Sequence, residues 1–286
     1  MSIKKSIENV FTNYINWTKE NKSPNSISTV VNIKNNLNIS TVEDKKMKVN
    51  DANISLLLSN EVEFSSGRKQ RGVYYTPTDV VAYTVYNLFL NTLTQKSDVR
   101  PIDKIKQESY DPSKILELCT KKIFLDPTCG AGEFILSVLQ AKLYFLKSID
   151  QDSPKNIISA ISTIRGNDID ENATLVSKLR ILTYLYQENI IALDDKIFNI
   201  INSNFSNYDF IFDSIPKDCK YDFIIGNPPY IEYRSLNNKP KTGYGNSYAD
   251  VLHNTNRHLY VGGGVAYIIP ISFSSTPRMK EIRNEE

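Results

Sequence analysis

A doubly wound α/β sheet is the fold that this sequence predicts, and three observations predict it. Short apolar runs that read as buried strands alternate with longer stretches of helical periodicity from residue 122 onward. Polar and glycine- or proline-rich turns follow several of those runs, at the strand ends where such sheets present their ligands. The chain has 286 residues, 41% hydrophobic and 23% charged, which supports one large core and excludes wholesale disorder.

Residues 1–66 are polar and only intermittently apolar, but Ile7, Val10, Phe11, Tyr14 and Ile15 recur at helical spacing. They predict an amphipathic helix, with another over Ala52 to Leu58, so residues 1–66 read as a helical N-terminal extension. At Gly67 the texture changes to a basic, glycine-punctuated loop, GRKQRGVYYTP, followed by a helix reading VVAYTVYNLFLNTL. A charged connector containing Pro101 and Pro112 runs from Gln95 to Lys121. Then KIFLD (122–126) predicts a first strand, EFILSVLQAKLYFL a helix, ISTIRGNDID (161–170) a second strand and turn, and ATLVSKLRILTYLYQ a helix. KIFNII predicts the third strand, YDFIIG (221–226) the fourth, DVLHNTNRHL a helix and VAYIIPIS (265–272) the fifth. Alternation at this spacing predicts parallel βαβ units.

Composition narrows the function. Lys+Arg 34 against Asp+Glu 32 leaves +2, so no global field points to a polyanion. Cys119, Cys129, Cys219, His253 and His258 suit neither a disulfide framework nor a zinc cluster, and no metal site is expected. No apolar run reaches the length of a signal peptide or of a membrane span of about 20 residues, which reads as a soluble, cytoplasmic protein.

Three strand ends carry the chemistry. In Asp126-Pro127-Thr128-Cys129-Gly130-Ala131-Gly132-Glu133-Phe134 a strand ends in an acid, a Gly-x-Gly turn follows and a helix opens. The turn lacks the third glycine of a dinucleotide fingerprint and the GK[ST] of a P-loop, and its acid suits an amine-bearing ligand better than a phosphate. Asp168 ends the second strand, where a carboxylate can accept both hydroxyls of a ribose, while Asp170 is placed to cap the next helix. Asn227-Pro228-Pro229-Tyr230 follows the fourth strand. Two prolines stiffen that loop, so that an amide oxygen and a proline carbonyl can take the two hydrogens of a planar NH2 group beside an aromatic ring.

Together these motifs resemble the S-adenosylmethionine-dependent methyltransferases of the Rossmann-like class. More narrowly they are similar to the adenine-N6 DNA methyltransferases of restriction–modification systems. DPTCGAGEF resembles that family's cofactor motif, GNPPY its catalytic motif, and VYYTP (73–77) the segment that packs over the methionine moiety. The motif order resembles the subgroup with a C-terminal recognition domain, over about residues 67 to 283. The resemblance implies that Tyr75, Thr76, Pro77, Asp126, Gly130 and Gly132 surround the methionine end of S-adenosylmethionine. Asp168 would hold the ribose, and Asn227, Pro228, Pro229 and Tyr230 a flipped adenine. The family's acid at the tip of the third strand is replaced, on this alignment, by Asn204, which would bond the cofactor's adenine more weakly.

Arg68, Lys69 and Arg71 in the basic loop tip the reading toward DNA, with protein glutamine or RNA as the alternative substrate. The family fold also implies two further strands and a recognition domain after the fifth strand. The chain is therefore expected to be incomplete at its C-terminus, either an inactive fragment or half of a split enzyme completed by another polypeptide.

Overall fold

The computed structural model describes residues 2–42, 44–63, 76–211, 216, 218–233 and 244–284. The chain runs through α1 (Ile3–Asn21), α2 (Pro24–Asn36), α3 (Ile54–Glu63), α4 (Thr78–Thr94), α5 (Ile102–Gln107), α6 (Pro112–Thr120) and β1 (Phe124–Asp126). It continues through α7 (Glu133–Ser148), α8 (Pro154–Ser162), β2 (Ile164–Asn167), α9 (Glu171–Gln187), α10 (Asp195–Ser203), β3 (Phe205–Ser206) and β4 (Tyr221–Gly226). The last elements are α11 (Ser247–His258), β5 (Leu259–Tyr267), α12 (Ser272–Ser275) and α13 (Lys280–Asn284).

The strands form one parallel sheet in the order β3-β2-β1-β4-β5, with Phe124 of β1 level with Ile164 of β2 and Phe223 of β4. Alternation along the central strands divides the core between the two faces. Phe124, Phe223 and Ile225 join the large cluster under α4, α7 and α9, whereas Leu125 and Ile224 face Val251 of α11 and Phe210. Helices thus cover both faces of the sheet, as the apolar, non-alternating strands require. On the α9 side α1, α2 and α3 add Ile7, Val10, Phe11, Ile33 and Leu58 to the same cluster. The Tyr14 hydroxyl donates to Asp51 at 2.7 Å, and Gln187 of α9 donates to the Asp51 carbonyl at 3.1 Å.

Three elements differ from the sequence expectation. The charged connector folds into α5 and α6, because Pro101 caps the first and Pro112 occupies the opening turn of the second, where a missing N–H costs nothing. KIFNII is helical: Ile197, Phe198 and Ile201 bury one face of α10, with Asp194 accepting the Ile197 amide as its cap. The third strand is instead the short Phe205–Ser206 that follows. The fifth strand lies earlier than expected, at Leu259–Tyr267, because Gly264 to Tyr267 pair in register with Phe223 to Gly226.

Candidate functional site

The carboxyl ends of β1, β2 and β4 meet in one crevice, and all three motifs reach it. Asp126 ends β1 almost fully buried, its Oδ1 accepting the Thr128 amide at 3.0 Å. Burial pushes its carboxyl well above the ordinary carboxylate range; the Thr128 amide opposes that shift and the nearby Asp168 charge adds to it. The end of β4 lies directly against this carboxylate, since a Cβ on Gly226 would fall 2.6 Å from Asp126 Oδ1. Any side chain there would displace the acid.

After β1 the chain turns at Gly130 and Gly132 before entering α7. Gly132 has φ +82°, and a Cβ on it would lie 2.7 Å from Ser177 Oγ of α9, so glycine is needed for both reasons. The turn is pinned from β2: Asp168 Oδ2 accepts the Gly130 amide at 2.8 Å and its Oδ1 accepts the Asp170 amide at 2.9 Å. Asp170 caps α9 by accepting the Asn172 amide at 2.9 Å, the role its position suggested.

Behind Asp168, buried Asn167 donates to the carbonyls of Pro127 and Tyr208, both at 2.9 Å, and accepts the Tyr208 amide at 2.9 Å. It stitches the ends of β1, β2 and β3 together. Ile169 and Tyr208, 64% and 45% exposed, stand at the tips of β2 and β3 as apolar surfaces. The sequence reading passed over these residues, although an apolar residue between Asp168 and Asp170 was a usable signal.

Asn204 is a correction. It closes α10 ahead of β3, at the foot of that strand and away from the crevice. Its amide donates to the Ile161 carbonyl at 2.7 Å and its oxygen accepts from Arg165 at 2.6 Å, which makes it a buried strut. The error followed from reading α10 as the strand. The tip of β3 carries Asn207, whose amide donates to the Asp168 carbonyl at 2.8 Å.

On the β4 side, Asn227 donates through its amide to Thr76 Oγ1 at 2.8 Å, so the segment before α4 reaches the loop after β4. Pro77 occupies the cap position of α4, and Tyr75, Arg68, Lys69 and Arg71 lie outside the described residues. The Tyr230 hydroxyl is 2.5 Å from Asn227 Oδ1 and 2.8 Å from the Ile268 carbonyl. Its ring stands edge-on to Tyr248, with centroids 6.0 Å apart. One phenolic proton thus faces two acceptors, and one of them is the amide oxygen that the sequence reading assigned to substrate. Pro228 is buried, and the Pro229 carbonyl accepts from Ser247 at the start of α11, which fixes the far side of the loop.

A parallel sheet in this order, with acids ending β1 and following β2 and an amide–proline loop after β4, is a Rossmann-like fold. Residues 162–285 match the family described as Eco57I restriction-modification methylase. This part of the chain is similar to the restriction–modification methylases, the family its motifs resemble. It is 24% identical over 163 residues to modification methylase CviBIII of Paramecium bursaria Chlorella virus NC1A, covering 56% of this chain and 33% of that one. It is 26% identical over 165 residues to type II methyltransferase M.VspI of Vibrio sp. (strain 343), covering 58% of this chain and 27% of that one. The chain therefore spans about a third or less of the curated relatives it matches. In fold it is similar to a nuclease-deletion mutant of the Type ISP restriction-modification enzyme LlaGI in complex with a DNA substrate mimic. The TM-score is 0.54 at 15% identity, over 99% of this chain and 29% of that one. A DrdV–DNA complex gives a TM-score of 0.53 at 16% identity, over 83% of this chain and 25% of that one.

Proposed function

We propose that this chain methylates the N6 amine of adenine in DNA, as the modification component of a restriction–modification system, with S-adenosylmethionine as donor. The observation that carries the reading is the placement of Asn227, held by Thr76 and faced by Tyr230, beside the acid-lined ends of β1 and β2. The donor set fits the cofactor: Asp126 suits an amine, and Asp168 suits ribose hydroxyls. Gly130, Gly132, Thr76 and Pro77 bound the methionine end, with Tyr75 assigned there by resemblance. Ile169 and Tyr208 offer apolar faces for a flat ring. Bound S-adenosylmethionine would supply the electrophilic methyl carbon.

The chain's own groups do the rest by position. Adenine N6 is a poor nucleophile because its lone pair is delocalised into the ring. Asn227 Oδ1 and the Pro228 carbonyl accept its two hydrogens and localise the lone pair on nitrogen. Tyr230 swings off Asn227 and stacks on the flipped base, recovering roughly 1–3 kcal/mol against an unstacking cost of about a few kcal/mol. Pro229 keeps the loop rigid. Alignment and exclusion of water provide most of the rate, with no side chain assigned as general base.

In this reading residues 67–286 form the methyltransferase domain and residues 1–66 its helical extension. Action on DNA makes the site of work cytoplasmic. A separate polypeptide adding strands and a DNA-reading surface belongs to the proposal, because β5 is an edge of the sheet and Tyr260 and Val261 on it are exposed. DNA as partner is supported by the relatives solved as DNA complexes.

The test is transfer of labelled methyl from S-adenosylmethionine to unmethylated duplex DNA, RNA or protein extract. The chain is assayed alone and with the product of the adjacent reading frame. Label recovered as N6-methyladenine in DNA is the expected result; label in RNA or in protein glutamine would overturn it.

A further inference from the structure

Arg180 of α9 is a buried cation that none of the roles above uses, and it touches three parts of the chain. Its Nη1 donates to the Ala131 carbonyl at 2.7 Å and pairs with the Glu133 carboxylate at 2.8 Å, while its Nε donates to Ser55 Oγ of α3 at 2.9 Å. Ser59, one turn along α3, lies 3.3 Å from the same Glu133 oxygen and 2.5 Å from Glu63 Oε1. One planar guanidinium therefore joins the Gly130–Gly132 turn, the first turn of α7 and the N-terminal helical segment.

We propose that Arg180 is a positioning residue for the cofactor turn, and that α3 acts on the turn through it. The proposal rests on the reading of that turn as the S-adenosylmethionine site. Fixing the Ala131 carbonyl fixes the planar peptide that joins it to Gly132, and so the entry into the left-handed conformation at Gly132. A lone Ala131–Gly132 peptide could rotate. The fork geometry of arginine removes that freedom, which the single ammonium of lysine cannot do while also reaching Ser55 and Glu133. Stability alone does not require the arrangement, since buried ion pairs are often replaceable by apolar packing without loss. Residues 1–63 thereby become a brace for the site as well as a cover for α9.

The experiment has two readouts. Amide exchange over residues 130–134 is measured in the ligand-free protein, and S-adenosylhomocysteine is titrated by calorimetry, for wild type, Arg180→Lys, Ser55→Ala and the double variant. Arg180→Lys is expected to speed exchange at the turn and to raise Kd about tenfold, a loss of ~1.4 kcal/mol. Ser55→Ala moves both in the same direction by about threefold, and adds nothing in the Arg180→Lys background, as a shared path requires. KM for the donor rises while kcat is retained. Unchanged exchange and unchanged Kd in Arg180→Lys overturn the brace, even if the variant loses thermal stability. Should Arg180→Lys fail to fold, Ser55→Ala decides alone, and no change at the turn refutes the proposal. If wild type binds no S-adenosylhomocysteine while exchange responds as expected, the cofactor reading fails and the brace stands.

Discussion

Around β1 and β2 the crevice is held by side chains on main-chain groups, whereas around β4 side chains also bond one another. Asp168 grips the amides of Gly130 and Asp170, and Asn167 grips main-chain groups of Pro127 and Tyr208. Those contacts tie the β1–β2 half to its own main chain. In the other half Asn227 leans on Thr76, and its oxygen is taken by the Tyr230 hydroxyl. That half is partly satisfied by its own side chains. The contrast fits the tasks proposed for the two halves. A diffusible cofactor meets a rigid socket, while a base that leaves its stack meets groups that exchange one partner for another.

The sharpest way to break this comparison is Asn227→Ala. It should lower methyl transfer by about 10²–10³-fold or more, the scale seen when one positioned polar group is lost from a reacting centre. S-adenosylhomocysteine affinity, measured by calorimetry, should stay within about twofold; a parallel loss would mean the halves are not separate.

Next in size is Tyr230. Tyr230→Ala removes the ring and should cost roughly 5- to 150-fold in kcat/KM on duplex DNA, equivalent to about 1–3 kcal/mol of stacking. Tyr230→Phe keeps the ring and removes only the hydroxyl that covers Asn227, so its rate should equal or exceed that of wild type. A Phe variant as poor as the Ala variant would show that the hydroxyl acts in the reaction rather than at rest.

Asp168→Ala tests the rigid half. Cofactor affinity should fall about tenfold or more, for ~1.4 kcal/mol lost, with turnover at saturating donor little changed. Saturation kinetics separates the two effects.

The smallest expected effect on the site comes from the feet of the same strands. Lys142 is fully buried there, donating to Thr163 Oγ1 at 2.6 Å and to the Lys122 carbonyl at 3.0 Å. Burial lowers its pKa from 10.5 to about 7. Because the folded value lies below the unfolded one, the unfolded chain binds the extra proton between these values. Stability then rises with pH from about 7 toward 10.5, by up to ~1.4 kcal/mol per unit, and the gain is lost as pH falls through about 7. Urea unfolding at pH 7 and 9 should show this slope in wild type and a flatter one in Lys142→Met. Cofactor affinity should be the same for both proteins, which would confine the perturbation to the foot of the sheet.

The strands that build the crevice were legible because each combines an apolar run with a terminal residue that only a turn explains. YDFIIG coincides with β4, and KIFLD and ISTIRGNDID contain β1 and β2. An apolar run without such punctuation is ambiguous. Ile197, Phe198 and Ile201 satisfy a short buried strand as well as one face of a helix, and the cap at Asp194 decides for the helix. Asn204 was misplaced with it. The connector around Pro101 and Pro112 is helical because both prolines sit at helix starts, and a proline disrupts a helix only beyond its first turn. Some site contacts join residues far apart in the chain, such as Thr76 with Asn227 and Ser55 with Arg180, and no local pattern announces them.

What the sequence by itself determined is the place of β1, β2 and β4 and the identity of the groups at their ends, because periodicity and turn chemistry are local. What the tertiary structure decided is which of those groups meet. Asp126 is pressed against Gly226 by strand pairing, Asn227 accepts from a tyrosine three residues on in the chain, and an N-terminal helix reaches the Gly130–Gly132 turn through one arginine. Each depends on packing between distant segments, whose energy is shared across the whole core and written in no single stretch of the chain.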